Sequence, residues 1–184
     1  MEGLSLSFIA KLFKRRTKRA QITICGLDKA GKTSLVNYLV YGEFRETIPT
    51  MGVNRETIRI PKLEMNIYDL GGQESFRTFW ANINERSDAV IFVVDSTDYD
   101  RFDEAKDAFY NIVTTQIYSG IPVLLLLNKK DLPNSLNRLD FVRRFELMGK
   151  DELLITWAIY ETSAKTGEGV VEAFTWFINT IKEE

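Results

Sequence analysis

The chain contains no histidine and a single cysteine, Cys25, in 184 residues. Without histidine, imidazole acid–base catalysis and His-ligated metal sites are excluded. One cysteine cannot form an intrachain disulfide, which fits a reducing compartment. Cys25 itself reads as a small buried hydrophobe, with a redox sensor as the alternative. No apolar run approaches the roughly 18 residues that a membrane span needs. Repeats and low-complexity segments are missing too. With 45% hydrophobic and 27% charged residues, the composition is that of an ordinary globular protein. The length suits one domain with a substantial core. A net charge of −2 gives no global attraction to nucleic acid, and no nucleic-acid partner is expected.

Positive charge is instead local. Residues 1–20 hold Lys11, Lys14, Arg15, Arg16, Lys18 and Arg19 against Glu2. That is a net +5, and it leaves −7 for the remainder.

From Ala20 onward, short apolar runs alternate with amphipathic ones. Strands are expected at 21–25, 53–60, 63–70, 89–95, within PVLLLLNKKD (122–131) and near 153–160. Helices are expected at 32–42, about 101–119, 139–146 and 169–182. Pro61 and Lys62 read as a turn between two extended runs, since proline suits a hairpin tip or edge. The runs AVIFVV and PVLLLL are almost wholly apolar, as in strands covered on both faces of a parallel sheet. Strand–helix alternation points to a doubly wound α/β domain. Such sheets bind ligands at the carboxyl ends of their strands, and the polar motifs follow the apolar runs directly.

The strongest motif is GLDKAGKT, Gly26 to Thr33. It matches G-x-x-x-x-G-K-[ST] between a predicted strand and a predicted helix, the context that identifies a phosphate-binding P-loop. Glycines let the backbone approach phosphate, and successive N–H groups form an anion nest at the helix start. The expected contacts come from Gly26, Asp28, Lys29, Ala30, Gly31, Lys32, Thr33 and the adjoining Ser34. Lys32 would reach the β- and γ-phosphates, and the Thr33 hydroxyl would ligate Mg²⁺. Asp69 ends the LEMNIYD run within DLGGQE, where a carboxylate is placed to hold Mg²⁺ through water. Gly72 can offer its N–H to a γ-phosphate, and Gln73 can orient an attacking water. Thr50 in IPTMG would complete the Mg²⁺ shell. In NKKD, Asp131 can accept from guanine N1 and N2, a donor pair that adenine lacks. Asn128 would brace that loop and the Lys129 stem would cover the base. In TSAK, small residues (Ser163, Ala164, Lys165) could bring the Ala164 N–H to guanine O6.

Together GLDKAGKT, PTMG, DLGGQ, NKKD and SAK resemble the five nucleotide-binding motifs of small GTPases, over residues 20–184. Asp28 in the P-loop, GGQ after the aspartate, the stretch TIPTMGVN and an amphipathic segment before the first strand resemble the Arf/Arl/Sar branch. The resemblance implies a six-stranded, mostly parallel sheet with five helices, and switch regions near 42–52 and 71–86. It implies GTP/GDP and Mg²⁺ as ligands, and slow hydrolysis with Gln73 and Lys32 as catalytic residues. Exchange factors, GTPase-activating proteins and effectors would be the partners of a monomeric, cytoplasmic protein acting in membrane trafficking. It also implies that the hairpin between the switches slides in register when GTP binds. Turnover is expected on the order of 10⁻⁴ s⁻¹ unaided and roughly 10³–10⁵-fold faster with a partner. Arg45 and Arg55 flank switch I, but neither is assignable as an arginine finger. Val53, Tyr68 and Ile83 stand where the branch usually has Phe, Trp and Tyr, so its partners do not carry over. Lys165 is shared with the Ras and Rab branches. Phe76, Phe79 and Trp80 fall in switch II, either as partner contacts or as packing on the sheet. Alternatives to the switch are a GTP-binding scaffold resembling the signal-recognition-particle receptor subunit, and an ATP-using P-loop kinase. Intact DLGGQ and the missing span argue against the first; Asp131 argues against the second.

Residues 1–19 read as an amphipathic helix with a basic linker. On a helix, Leu4, Leu6, Phe8, Ile9, Leu12 and Phe13 fall within an arc of about 200°. The charge follows the apolar part, the reverse of a secretory signal. Glu2 takes the place directly after Met where N-myristoylation requires glycine. The segment is therefore expected to bind an anionic membrane through Leu4, Phe8, Ile9, Leu12, Phe13 and the basic run, at roughly 1 kcal/mol per cation. The resemblance makes it the output arm of the switch, hidden with GDP and released with GTP. Permanent packing as an extra core helix is the alternative.

Overall fold

The computed structural model describes residues 17–148 and 155–183. The expected N-terminal amphipathic helix lies outside the described residues, as does the start of the strand expected from residue 153. The elements are β1 (Lys18–Cys25), α1 (Lys32–Tyr41), β2 (Val53–Ile60), β3 (Leu63–Leu70), α2 (Glu74–Arg77), α3 (Trp80–Asn84) and β4 (Ala89–Asp95). They continue with α4 (Phe102–Asn111), β5 (Val123–Asn128), α5 (Arg138–Arg144), β6 (Trp157–Glu161) and α6 (Val170–Glu183).

The six strands form one sheet in the order β2-β3-β1-β4-β5-β6. All neighbours are parallel except β2 and β3, an antiparallel hairpin in which Ile60 faces Leu63. Lys62 takes a left-handed backbone (φ 70°) at its tip, so Pro61 and Lys62 make the expected tight turn. The parallel strands end together, which brings the loops after Cys25, Leu70, Asp95, Asn128 and Glu161 to one edge.

The core lies in two layers. β4 and β5 are buried along both faces, as their unbroken apolar sequence requires. On one side α1 and α6 cover the sheet; Val170, Ala173, Phe174, Phe177 and Ile181 recur at helical spacing and are buried. On the other, Phe92, Phe102, Phe109, Phe141 and Phe145 form an aromatic layer beneath α4 and α5. Each such side chain contributes about 1.5–3 kcal/mol by leaving water. Along β3 burial alternates: Leu63, Met65 and Ile67 face the core, while Glu64, Asn66 and Tyr68 are only partly covered.

Helix ends follow local chemistry. Gly42 closes α1 with a left-handed backbone, and its N–H donates to Tyr38 O at 2.8 Å, a common helix stop. Asn137 caps α5, its side chain accepting from Asp140 N at 2.9 Å, with Arg143 and Arg144 in the last turn.

Three elements differ from expectation. β1 begins at Lys18, so Lys18 and Arg19 are strand residues rather than linker; Lys18 Nζ donates to Ile181 O at 2.6 Å and Arg19 pairs with Glu64 at 3.3 Å. The helix expected over 101–119 is a 3₁₀ turn (Tyr99–Arg101), then α4, then a π turn (Ile112–Gln116). The wider turn directs Gln116 inward, where its Oε1 accepts from buried Asn84 Nδ2 at 2.8 Å. Switch II carries two short helices, α2 and α3. Trp80 packs inside with its indole N–H on Gly71 O at 3.1 Å, whereas Phe79 is 56% exposed.

Candidate functional site

One cavity of about 390 Å³ opens at the carboxyl edge of the sheet. All the predicted site residues line it except Gly26, Ala30, Asp69 and Ser163, which stand behind its wall. At the phosphate end, the loop after β1 turns into α1 through Gly31, whose φ of 93° favours glycine. A Cβ there would lie 2.3 Å from Asn128 Nδ2. Lys29 and Lys129 also take left-handed backbones at the cavity wall, at a cost of about 1–3 kcal/mol each. Lys32 is buried, and its Nζ donates to Gly26 O at 3.0 Å and Leu27 O at 2.8 Å. Burial pushes its ammonium down to about 8, and the nearby Asp69 carboxylate partly opposes that.

Beside Lys32, three oxygens meet. Thr33 Oγ1 donates to Asp69 Oδ2 at 2.6 Å, and Thr50 Oγ1 lies 2.8 Å from Thr33 Oγ1 and 3.4 Å from Asp69 Oδ2. Asp69 is buried, which raises its carboxyl pKa; the Thr33 bond, the Lys32 charge and the Thr50 bond work against that rise. Its Oδ1 is buried with no hydrogen-bond partner among the described residues. Two hydroxyls and a carboxylate are hard oxygen donors, the set that suits Mg²⁺ with retained waters. The orphaned Oδ1 makes the fit specific, because a buried carboxylate oxygen needs a partner. Among the described residues no group of three or more acidic or cysteine side chains gathers elsewhere to hold a metal.

Switch II meets the phosphate loop at Gly72, where a Cβ would lie 2.2 Å from Asp28 N and 2.5 Å from Lys32 Nζ. Gln73 follows at the cavity wall. Arg77 holds this strap in place: its Nε donates to Gly72 O at 3.0 Å and its Nη2 pairs with Glu104 at 2.7 Å. Arg45 instead pairs with Glu43 at 2.9 Å and stacks 3.6 Å above the Tyr41 ring. Arg55 donates to Asn66 Oδ1 at 3.0 Å. Neither lines the cavity.

At the opposite end, Asn128 Nδ2 donates to Ala30 O at 2.9 Å, and its Oδ1 accepts from Ala164 N at 3.1 Å and Thr162 Oγ1 at 3.4 Å. The Ala164 N–H, expected to face a base, is thus held by Asn128. Ser163 Oγ donates to Asp131 Oδ1 at 2.6 Å and fixes that carboxylate toward the cavity. Lys129 Nζ reaches Asp95 Oδ2 at 2.6 Å, which lays its stem along the cavity wall.

Sequence reasoning missed Phe44 and Leu132, which also line the cavity, and the supports Arg77, Asp95 and Arg101. Leu132 could have been found from its place beside Asp131; the others belong to no motif and carry no such signal.

The ADP-ribosylation factor family model matches residues 5–181. ADP-ribosylation factor 1 of Brassica rapa is 41% identical over 165 residues, 90% of this chain and 90% of that protein. ADP-ribosylation factor-like protein 1 of Saccharomyces cerevisiae is 39% identical over 168 residues, 91% of this chain and 90% of that one. Among solved structures, the Arl6 small GTPase of Trypanosoma brucei with a bound GppNp analogue superposes with a TM-score of 0.80. Its sequence is 28% identical, with 90% of this chain and 99% of that one covered.

Proposed function

Since this chain belongs to the ADP-ribosylation factor family, a family of small GTPases that bind GTP and GDP, we propose that its nucleotide state governs reversible attachment to membranes. It is a GTP-binding switch and a GTP hydrolase with Mg²⁺ as cofactor. The observation that carries the nucleotide part of this reading is the gathering at one cavity of Lys32, Thr33, Thr50 and Asp131, with Asp69 bonded to Thr33 behind its wall. These would supply phosphate, metal and guanine recognition respectively.

Each residue takes a physical task. Thr33, Thr50 and, through water, Asp69 would hold Mg²⁺, which would supply positive charge beside the phosphates. Lys32 carries an ammonium that burial leaves underpaired, so phosphate charge stabilises it and it neutralises the β,γ-bridging oxygen in return. The Gly72 N–H points switch II at the γ-phosphate, and the Gln73 amide holds the attacking water in line. The intact DLGGQ strap at the cavity supports hydrolysis over the scaffold alternative. Among the described residues no arginine lines the cavity, and an activating protein would supply acceleration. Asp131, oriented by Ser163, accepts from the guanine N1 and N2 groups.

Two measurements test this. In single-turnover hydrolysis Gln73→Leu should be at least about tenfold slower with unchanged GTP affinity; parent-like hydrolysis would overturn the role of Gln73. For the membrane arm, Phe8→Ala with Phe13→Ala should abolish sedimentation of the GTPγS-loaded protein with anionic liposomes. Undiminished sedimentation, or equal sedimentation of the GDP form of the parent, would overturn the membrane reading. No helix among the described residues is long and apolar enough to cross a membrane, so attachment would be peripheral. Family members work with exchange factors, activating proteins and effectors, and we assign the same classes of partner here.

A further inference from the structure

The phosphate loop carries an unfavourable charge. Asp28 lines the cavity together with Lys32 and Gly72, and its backbone N–H stands where a Gly72 Cβ would collide. A carboxylate on a residue of this wall has the same sign as the phosphates the cavity must receive, and like charges repel strongly where water is partly excluded. The chain answers with a cation from outside the five motifs. Arg101, in the 3₁₀ turn after β4, donates from Nη1 to Asp28 Oδ1 at 2.8 Å and from Nη2 to Asp28 O at 3.3 Å. Its Nε donates to Asp98 Oδ2 at 2.7 Å. Asp98 thereby anchors the guanidinium from behind, on the same loop whose Asp95 holds Lys129. The Asp28 and Arg101 side chains are 28% and 31% exposed, so the pair is partly shielded from solvent.

We propose that Arg101 is a positioning residue that masks the Asp28 carboxylate at the phosphate wall, and that this masking sets how long the nucleotide stays bound. The inference rests on the reading of the cavity as the guanine-nucleotide site. It differs from a purely structural brace in one respect. A brace is lost when either partner is removed, whereas a mask becomes unnecessary once the charge it covers is gone.

The test is release of fluorescent mant-GDP from four GDP-loaded, Mg²⁺-replete proteins: parent, Arg101→Ala, Asp28→Asn, whose amide oxygen can still accept from Arg101 but carries no charge, and the double variant. Arg101→Ala should release roughly three- to tenfold faster, the scale of one partly exposed charge interaction. Whatever the release rate of Asp28→Asn itself, adding Arg101→Ala to it should change that rate by less than about twofold, because no charge remains to mask. The acceleration in Arg101→Ala should also shrink as salt rises from 0.05 to about 0.5 M, because screening weakens the exposed carboxylate. Parent-like release by Arg101→Ala overturns the proposal. So does a double variant accelerated over Asp28→Asn as much as Arg101→Ala is over the parent, which marks a brace. If Arg101→Ala does not fold, Arg101→Gln, which keeps a donor and loses the charge, replaces it in both backgrounds and the same outcomes decide. A parent that fails to retain mant-GDP would instead strike at the nucleotide-site reading, and the two failures are distinguishable.

Discussion

Asn128 and Ala30 are joined across the site: the Asn128 amide donates to the Ala30 carbonyl at 2.9 Å. With its oxygen on Ala164 N, one side chain, 1% exposed, ties the phosphate loop, the loop after β5 and the loop after β6. Asn128→Ala would leave a buried carbonyl and a buried N–H without partners. At about 1–3 kcal/mol each, GDP affinity should fall by roughly two orders of magnitude. The mant-GDP release rate, with thermal melting of the loaded protein, checks this; an unchanged release rate would refute the stapling role.

Base choice should reside in Asp131. Replacing its carboxylate by an amide swaps one acceptor for a donor, which guanine cannot use and the C2 carbonyl of xanthine can. Asp131→Asn should lose GTP affinity by about 100-fold or more and gain affinity for XTP. Ser163→Ala, which only unlatches Oδ1, should cost about 0.5–1.5 kcal/mol of GTP affinity. Competition binding with GTP, XTP and ATP reads both.

Gly72→Ala should prevent switch II from lying against the phosphate loop, because its Cβ would meet Asp28 N at 2.2 Å and Leu27 C at 2.4 Å. Those are backbone atoms that cannot rotate away. The expected result is a protein that still holds GDP but discriminates poorly in favour of GTPγS. Calorimetric titration with both nucleotides tests it, and parent-like preference would show that the strap relaxes at no cost.

The motif residues were legible because phosphate, metal and base each demand a particular donor type after a particular strand. The structure gathers Lys32, Thr33, Asn128 and Asp131 at one cavity with Asp69 bonded to Thr33, and the apolar runs form β4 and β5. What was illegible depends on side chains meeting across the fold. Nothing near Arg101 announces that it will reach Asp28, 73 positions earlier in the chain. Nor does the run FDEAKDAFYNIVTTQ show that its last turn widens, since the cause lies in the buried Asn84 amide. Trp80 and Phe79 are neighbours of similar hydrophobicity with opposite fates, decided by which one reaches Gly71 O.

That Asn84–Gln116 pair offers a stability test. Asn84 Oδ1 has no partner among the described residues, so the pair is only half satisfied. Gln116→Ala should strand Asn84 Nδ2 as well and destabilise by about 1–3 kcal/mol. Replacing both residues by leucine should cost less than the sum of the single changes. Urea unfolding of the GDP-loaded protein reports both.

Lys32 should couple binding to protons. Its ammonium, pushed down to about 8 by burial, is largely deprotonated at pH 9 in nucleotide-free protein, and phosphate charge draws its pKa back up. GDP binding should therefore take up a substantial fraction of a proton at pH 9 and almost none at pH 6.5. Titration calorimetry in buffers of different ionisation enthalpy measures the uptake, which should vanish in Lys32→Met if that variant binds.

The alternation along β3 has a kinematic consequence. The hairpin hangs on the rest of the sheet by a single parallel ladder, Lys18–Ile24 against Leu63–Asp69. A slip of one residue along that ladder would turn Leu63, Met65 and Ile67 out to solvent and bring Glu64 and Asn66 into the core. A slip of two restores every side chain to its own face, at a displacement of about 6.6 Å. Any sliding of the hairpin is therefore quantised: it advances like a ratchet whose teeth are core residues and whose shortest permitted stroke is two.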